Sequence, residues 1–182
     1  MYEVEVKAKL KNKDEVIKKL VDLGCIFGEE LHQIDHIFIP KNMFFPPPFE
    51  VPVLRVRKQN DKHFFTMKIF QSNRQDCIEH ELEISDGDKM LEILQLINYK
   101  KVPIVNKKRI KTKLNDIEIV IDVVEGLGEF IEVEKIVSEE NVELRQKIQE
   151  ELLVFLTELG ILEEDHLAGS KYDIMLYEKY GM

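Results

Sequence analysis

The sequence predicts an α+β fold of about eight strands and four helices, and three observations predict it. Runs of strict two-residue alternation recur along most of the chain, separated by short Asn, Asp and Gly turns. Between and after them lie segments whose apolar residues fall at helical spacing. The polar faces of the alternating runs are almost wholly ionisable, where an ordinary half-buried sheet mixes in Thr, Ser, Gln and Asn.

The elements follow in order. Residues 2–10, YEVEVKAKL, put Val4, Val6, Ala8 and Leu10 on one face and Glu3, Glu5, Lys7 and Lys9 on the other. Asn12 is a candidate cap for a helix over 13–23, with Val16, Ile17, Leu20, Val21 and Leu23 as its stripe and Gly24 as its stop. A strand over 32–39 precedes a proline-rich loop, 41–52, that cannot donate to a sheet. Phe44, Phe45 and Phe49 in that loop fit either a cover over a cavity mouth or simple anchors. Strands follow at 53–59, 63–70 and 77–85, then a helix over 88–98 and strands at 103–113, 117–125 and 129–137. Ser138, with Glu139 and Glu140, is expected to start a long helix that Gly160 stops, and a short helix fits 171–180. No repeat and no internal boundary is visible, so residues 1–182 read as a single domain.

The charged faces admit two architectures. The opposite, apolar faces offer Val4, Val6, Leu54, Val56, Ile119, Ile121, Ile131 and Val133 to the helices. A sheet curled into a barrel with helices outside would turn the charges inward, into a wet lumen suited to a highly charged ligand. An open sheet would leave them on bulk water as surface ion pairs. Alternation alone does not choose.

Composition excludes several classes. With 182 residues, 44% hydrophobic and 34% charged, the chain can bury a real core. The net charge of −9 argues against a general nucleic-acid binder, without excluding a basic pocket. Residues 139–182 hold 11 acids against 4 bases, the pattern of a solvated helix face. Cys25 and Cys77 make neither a metal-spaced pair nor a disulfide framework, and no stretch has transmembrane length, so a cytoplasmic protein without a membrane partner is expected. The five histidines form no zinc motif, and Gly126-Leu127-Gly128 lacks the Lys-Ser/Thr of a phosphate-binding loop.

The motifs carry a resemblance. Glu3-Val4-Glu5-Val6-Lys7 looks like the ExExK signature of the CYTH superfamily, which includes class IV adenylyl cyclases and thiamine triphosphatases. Gln33-Ile34-Asp35-His36-Ile37-Phe38 resembles its QxDxYF strand, with His36 and Ile37 as departures. Leu54-Arg55-Val56-Arg57 matches LRxR and Thr66-Met67-Lys68 matches TxK, while Glu79, Glu81 and Glu83 fall where the family has further carboxylates. Val105 to Arg109 resembles VxKxR, Asp122 to Glu134 resembles DxVxGLGxFxExE, and Gly169-Ser170-Lys171-Tyr172 looks like a terminal SY element.

The resemblance implies an eight-stranded antiparallel closed barrel, a tunnel that binds a triphosphate and a divalent metal. Alternate residues such as Arg55 and Arg57 project from one face about 7 Å apart along the strand. Arg can grip phosphoryl oxygens with two prongs, and Lys acts as a compact charge. Lys7, Arg55, Arg57, Lys68, Lys107 and Arg109 are therefore the expected triphosphate contacts, with Lys7, Arg57, Lys107 and Arg109 nearest the chemistry; the competing reading for each is a cross-sheet ion pair. Lys9, Lys111 and Lys113 lie nearer the strand ends and fit a rim or a solvated role. Carboxylates beside phosphate make sense with a hard, oxygen-seeking cation between them, Mg2+ or Mn2+. Glu3, Glu5, Glu132 and Glu134 are the favoured ligands, with Asp122 or Glu81 completing the shell or holding a cation upright. The resemblance is nearest to the compact class IV cyclases, which implies conversion of ATP to cyclic AMP and pyrophosphate. Hydrolysis of an inorganic, nucleoside or thiamine triphosphate, and noncatalytic triphosphate binding, are the alternatives. Tyr172 and Ser170 are candidates either to shape the tunnel entrance or to cap and pack a helix, and the stripe Leu144, Ile148, Leu152, Phe155 and Leu156 suits either core packing or a homodimer, so a monomer and a homodimer both remain open.

Overall fold

A computed structural model describes residues 2–138, 140–169 and 171–181. The chain runs β1 (Tyr2–Lys9), α1 (Lys13–Asp22), β2 (Leu31–Pro40), β3 (Val53–Gln59), β4 (Lys62–Phe70), β5 (Asp76–Ile84), α2 (Gly87–Leu96), β6 (Tyr99–Lys101), β7 (Val105–Leu114), β8 (Ile117–Val124), β9 (Gly128–Val137), α3 (Val142–Glu158) and α4 (Tyr172–Tyr180).

Every pairing is antiparallel, in the order β3-β4-β5-β1-β9-β8-β7-β2, and a β2–β3 ladder returns the sheet to its start. Eight strands thus close into a barrel. The short β6 lies beside β2 at Phe38–Pro40, just past the stretch where β7 holds Leu31–Asp35. This ninth strand corrects the expected strand over 103–113. Pro103 has no N–H to donate, so the ladder breaks and restarts at Val105.

Alternation decides which way the faces turn. Val6, Ala8, Ile119, Ile121, Ile131 and Val133 point outward into a core completed by Val16 and Leu20 of α1 and Leu152 and Leu156 of α3. Most of the α3 stripe is therefore core, although Leu144 stays 42% exposed. Phe38, Leu54 and Val56 pack against Leu94 of α2. The fourth helix behaves differently. Tyr172 and Leu176 of α4 pack on Ile37, Val105, Val124 and Phe130, which share strand parity with the charged faces, so α4 covers one end of the barrel.

Three terminus expectations need correction. The Asn12 side chain makes no capping bond; its Nδ2 donates to Glu15 at 2.7 Å. The long helix starts at Val142 and not Ser138, because Asn141 accepts from the backbone N–H groups of Glu143 and Leu144. The second helix stops at Leu96, since Asn98 takes a left-handed φ of 66°. In the proline-rich loop the two readings divide: Phe45 packs edge-on to Tyr177 at 5.1 Å, whereas Phe44 is 90% exposed. Ser170 and Glu139 lie outside the described residues.

Candidate active site

The inward faces enclose a cavity of about 430 Å³ whose walls carry cations and carboxylates in nearly equal number. β3 and β7 bring in Arg55, Arg57, Lys107, Arg109 and Lys111, β8 and β9 bring in Glu118, Glu132 and Glu134, and β1 brings in both signs, Glu3 and Glu5 with Lys7.

Register builds the cationic side. Asp35 pairs with Arg57 across β2 and β3, and Arg57 donates from Nε and Nη2 to its two carboxylate oxygens at 2.6 and 2.8 Å. Arg109 stands opposite Asp122 and makes the same fork at 2.7 and 2.6 Å, with Lys107 adding a bond to Asp122 at 3.2 Å. Burial would raise both aspartates, but the facing guanidinium groups hold them low, Asp122 at about 2. These two acids fix guanidinium planes that would otherwise swing. Lys107 is different: burial, then the positive charges of Arg109 and Arg57, pull its ammonium down to about 7 despite Asp122.

The remaining cations are also paired. Arg55 donates to Thr66 Oγ1 at 3.1 Å and to Glu81 at 2.9 Å. Lys68 bridges Glu3 at 3.0 Å and Glu79 at 2.5 Å. Lys7 pairs with Glu132 at 3.0 Å and lies 4.1 Å from the centre of the Tyr172 ring. Lys111, expected at a rim or in solvent, lines the cavity with its side chain 40% exposed and pairs with Glu118 at 2.5 Å.

The acidic side is crowded by the same logic. Glu5 faces Glu134 across β1 and β9, and Glu134 faces Glu118 across β8. A carboxylate oxygen from each of Glu3, Glu5 and Glu134 lies within 4.8 Å of the others. Burial first, then repulsion from Glu3, Glu132, Glu5 and Glu118, pushes Glu134 up to about 9. Glu5 is also raised, by burial and then by Glu132. An all-oxygen cluster this costly suits a hard divalent cation. A second group, Glu3, Cys77 and Glu79, fits less well, because it offers a thiol where a hard cation takes oxygen, and burial holds that thiol up to about 12.

The fold and this lumen agree with comparison to known proteins. The family model described as CYTH domain matches residues 1–170. The chain belongs to the CYTH family. A Methanocaldococcus jannaschii protein named "Putative adenylate cyclase MJ0240" is 34% identical over 96% of this chain and 98% of its own length. The PH1819 protein of Pyrococcus horikoshii superposes with a TM-score of 0.81 at 30% identity, covering 97% of this chain and 99% of that one. The PH1012 protein of the same organism gives 0.77 at 30% identity, with 96% and 98% covered.

Within this CYTH barrel, every cation expected to meet phosphate lines the cavity: Lys7, Arg55, Arg57, Lys68, Lys107 and Arg109. The six expected metal acids divide. Glu3, Glu5 and Glu134 come together, whereas Glu132 is taken up by Lys7 and Arg109, Asp122 by Arg109 and Lys107, and Glu81 by Arg55 and Thr66. Glu3 and Glu5 are ion-paired as well, with Lys68 and Lys171. Two participants carry no role in the sequence reading. Asp35 was visible only as a motif letter, though its alternation with Gln33 and Ile37 gives its face. Lys171 precedes a helix, where strand parity offers no signal.

Proposed function

We propose that this protein is a divalent-metal-dependent enzyme acting on triphosphates, and that transfer of the terminal phosphoryl group to water is its reaction. The opposed charge imbalance of one lumen carries the reading. Around Lys107 positive charge is in excess, and around Glu134 negative charge is in excess, within the same cavity of about 430 Å³. An anion bearing a metal ion answers both.

Glu3, Glu5 and Glu134 would hold Mg2+ or Mn2+. Such an ion supplies neutralisation of phosphoryl oxygens and a bound water of lowered pKa. Arg57, Arg109 and Lys107 bind the phosphoryl oxygens, with Asp35 and Asp122 keeping the two guanidinium planes aimed inward. Lys107 Nζ, poised near neutrality, holds a proton that a leaving phosphate oxygen can take. The fourth helix covers one end and limits water there.

Hydrolysis is preferred to cyclisation because the lumen offers a nucleobase little to stack on. Tyr2, Phe70 and Tyr172 line it, and each already has a cation over its ring: Arg145 at 4.1 Å, Arg74 at 5.3 Å and Lys7 at 4.1 Å. Cyclisation of ATP is the second reading, favoured by the name of the 34% identical relative. Chromatographic separation of products from ATP and from inorganic tripolyphosphate, each with Mn2+ or Mg2+, tests the choice. Orthophosphate from either supports hydrolysis, and cyclic AMP with pyrophosphate overturns it.

A further inference from the structure

Lys171 enters the lumen from the segment before α4 and not from a strand. The chain on either side of it is fastened. The Leu167 N–H donates to the Lys7 carbonyl at 2.8 Å, and the Leu167 carbonyl accepts from the Gln75 side chain at 2.8 Å. On the other side the Tyr172 ring sits beneath the Lys7 ammonium and 5.0 Å from the ring of Phe130. Between these anchors the Lys171 ammonium rests on the Glu5 carboxylate, with its side chain 14% exposed.

Glu5 belongs to the acidic triad with Glu3 and Glu134. Its side chain is 2% exposed, so ionisation there depends on a nearby positive charge. Lys7 is 3.8 Å away and bonds Glu132 more closely, at 3.0 Å. Lys68 is divided between Glu3 and Glu79. Direct neutralisation of Glu5 therefore falls to Lys171.

We infer that Lys171 is a resident counter-ion of the acidic triad, which a divalent cation must displace from Glu5 in order to bind. The inference rests on the metal reading above. Both cations draw on the Glu5 carboxylate, and a divalent ion beside a bound ammonium would be repelled. The flexible four-carbon stem can leave while its backbone stays fastened. The displaced ammonium is then available to phosphoryl oxygens in the same lumen, which would couple metal arrival to grip on the triphosphate.

Calorimetric titration of the full chain with Mn2+ alone, without triphosphate and at mildly alkaline pH, tests this. Lys171→Met should bind Mn2+ about tenfold more tightly than the unsubstituted protein, since the competitor is gone and the site is more negative. Lys171→Arg should keep the weaker affinity. Equal or weaker binding by folded Lys171→Met overturns the inference while leaving the metal site standing. Absence of Mn2+ binding in every form overturns both. Amine labelling of Lys171 in the unsubstituted protein, read by mass spectrometry, needs no variant to fold. Saturating Mn2+ should raise the labelling rate several-fold, and an unchanged rate contradicts displacement.

Discussion

Glu5 and Glu134 are register partners on adjacent strands, and Glu118 is the next partner in the same row. Like charges directly across antiparallel strands repel. The barrel accepts that cost at one place, beside Glu3, and nearly everywhere else in the lumen each cation faces an acid.

The first prediction concerns stability without metal. Folding lifts Glu134 from its ordinary value of 4.5 to about 9, so it favours the protonated form. That contribution is complete below the unfolded value and is lost as pH rises through about 9. The melting temperature of metal-free protein should therefore fall between neutral pH and pH above 9, and Glu134→Gln should flatten the decline. Circular dichroism melts across pH would show it; an equal decline in the variant would remove Glu134 as its cause.

Metal binding should release protons. An ionised triad is what a cation needs, while Glu134 and Glu5 are both held toward protonation. Affinity for Mn2+ should rise by up to about tenfold per pH unit below the Glu134 midpoint. Calorimetry in buffers of different ionisation enthalpy counts the protons. No buffer dependence at neutral pH would mean that Glu134 is not a ligand.

Much of this site was legible from alternation, because a period of two assigns each residue to a face without any knowledge of the partner strand. Alternation put Arg55, Arg57, Lys107 and Arg109 on the charged faces, and the family resemblance supplied the closure that turns those faces into the lumen. Register was not legible. It places Asp122 opposite Arg109 and Asp35 opposite Arg57, which turns two acids into anchors of guanidinium groups. It also sets Glu132 beside Lys7 and leaves Glu134 among carboxylates, although the two share a strand face. Lys171 escaped because its position depends on how a helix closes the barrel end. The error at Ser138 was local: Asn141, three residues on, caps more effectively.

Asp122→Asn should be costly. It leaves Arg109 and Lys107 buried with one shared anion fewer, a loss of about 3 kcal/mol by the usual cost of breaking a buried pair. Urea denaturation measures it. A change near zero would indicate that Glu132, 3.5 Å from Arg109, takes over.

Lys107 should tie anion binding to pH in the opposite sense from the metal. Its ammonium is charged below about 7 and loses its proton above it. Tripolyphosphate affinity of metal-free protein should tighten as pH falls through that range, with proton uptake on binding above it. Lys107→Arg should abolish the dependence, because arginine stays charged. Persistence of the full dependence in that variant would assign it to another group.

The central claim is that metal and triphosphate share this lumen, the metal among Glu3, Glu5 and Glu134 and the phosphates beside Arg57, Lys107 and Arg109. Diffraction from crystals grown with Mn2+ and a nonhydrolysable triphosphate, at a wavelength where manganese scatters anomalously, tests it most directly. The account predicts an anomalous peak bounded by Glu3, Glu5 and Glu134, with phosphoryl oxygens on Arg57, Lys107 and Arg109. A peak elsewhere, or phosphates bound outside the barrel, would contradict it.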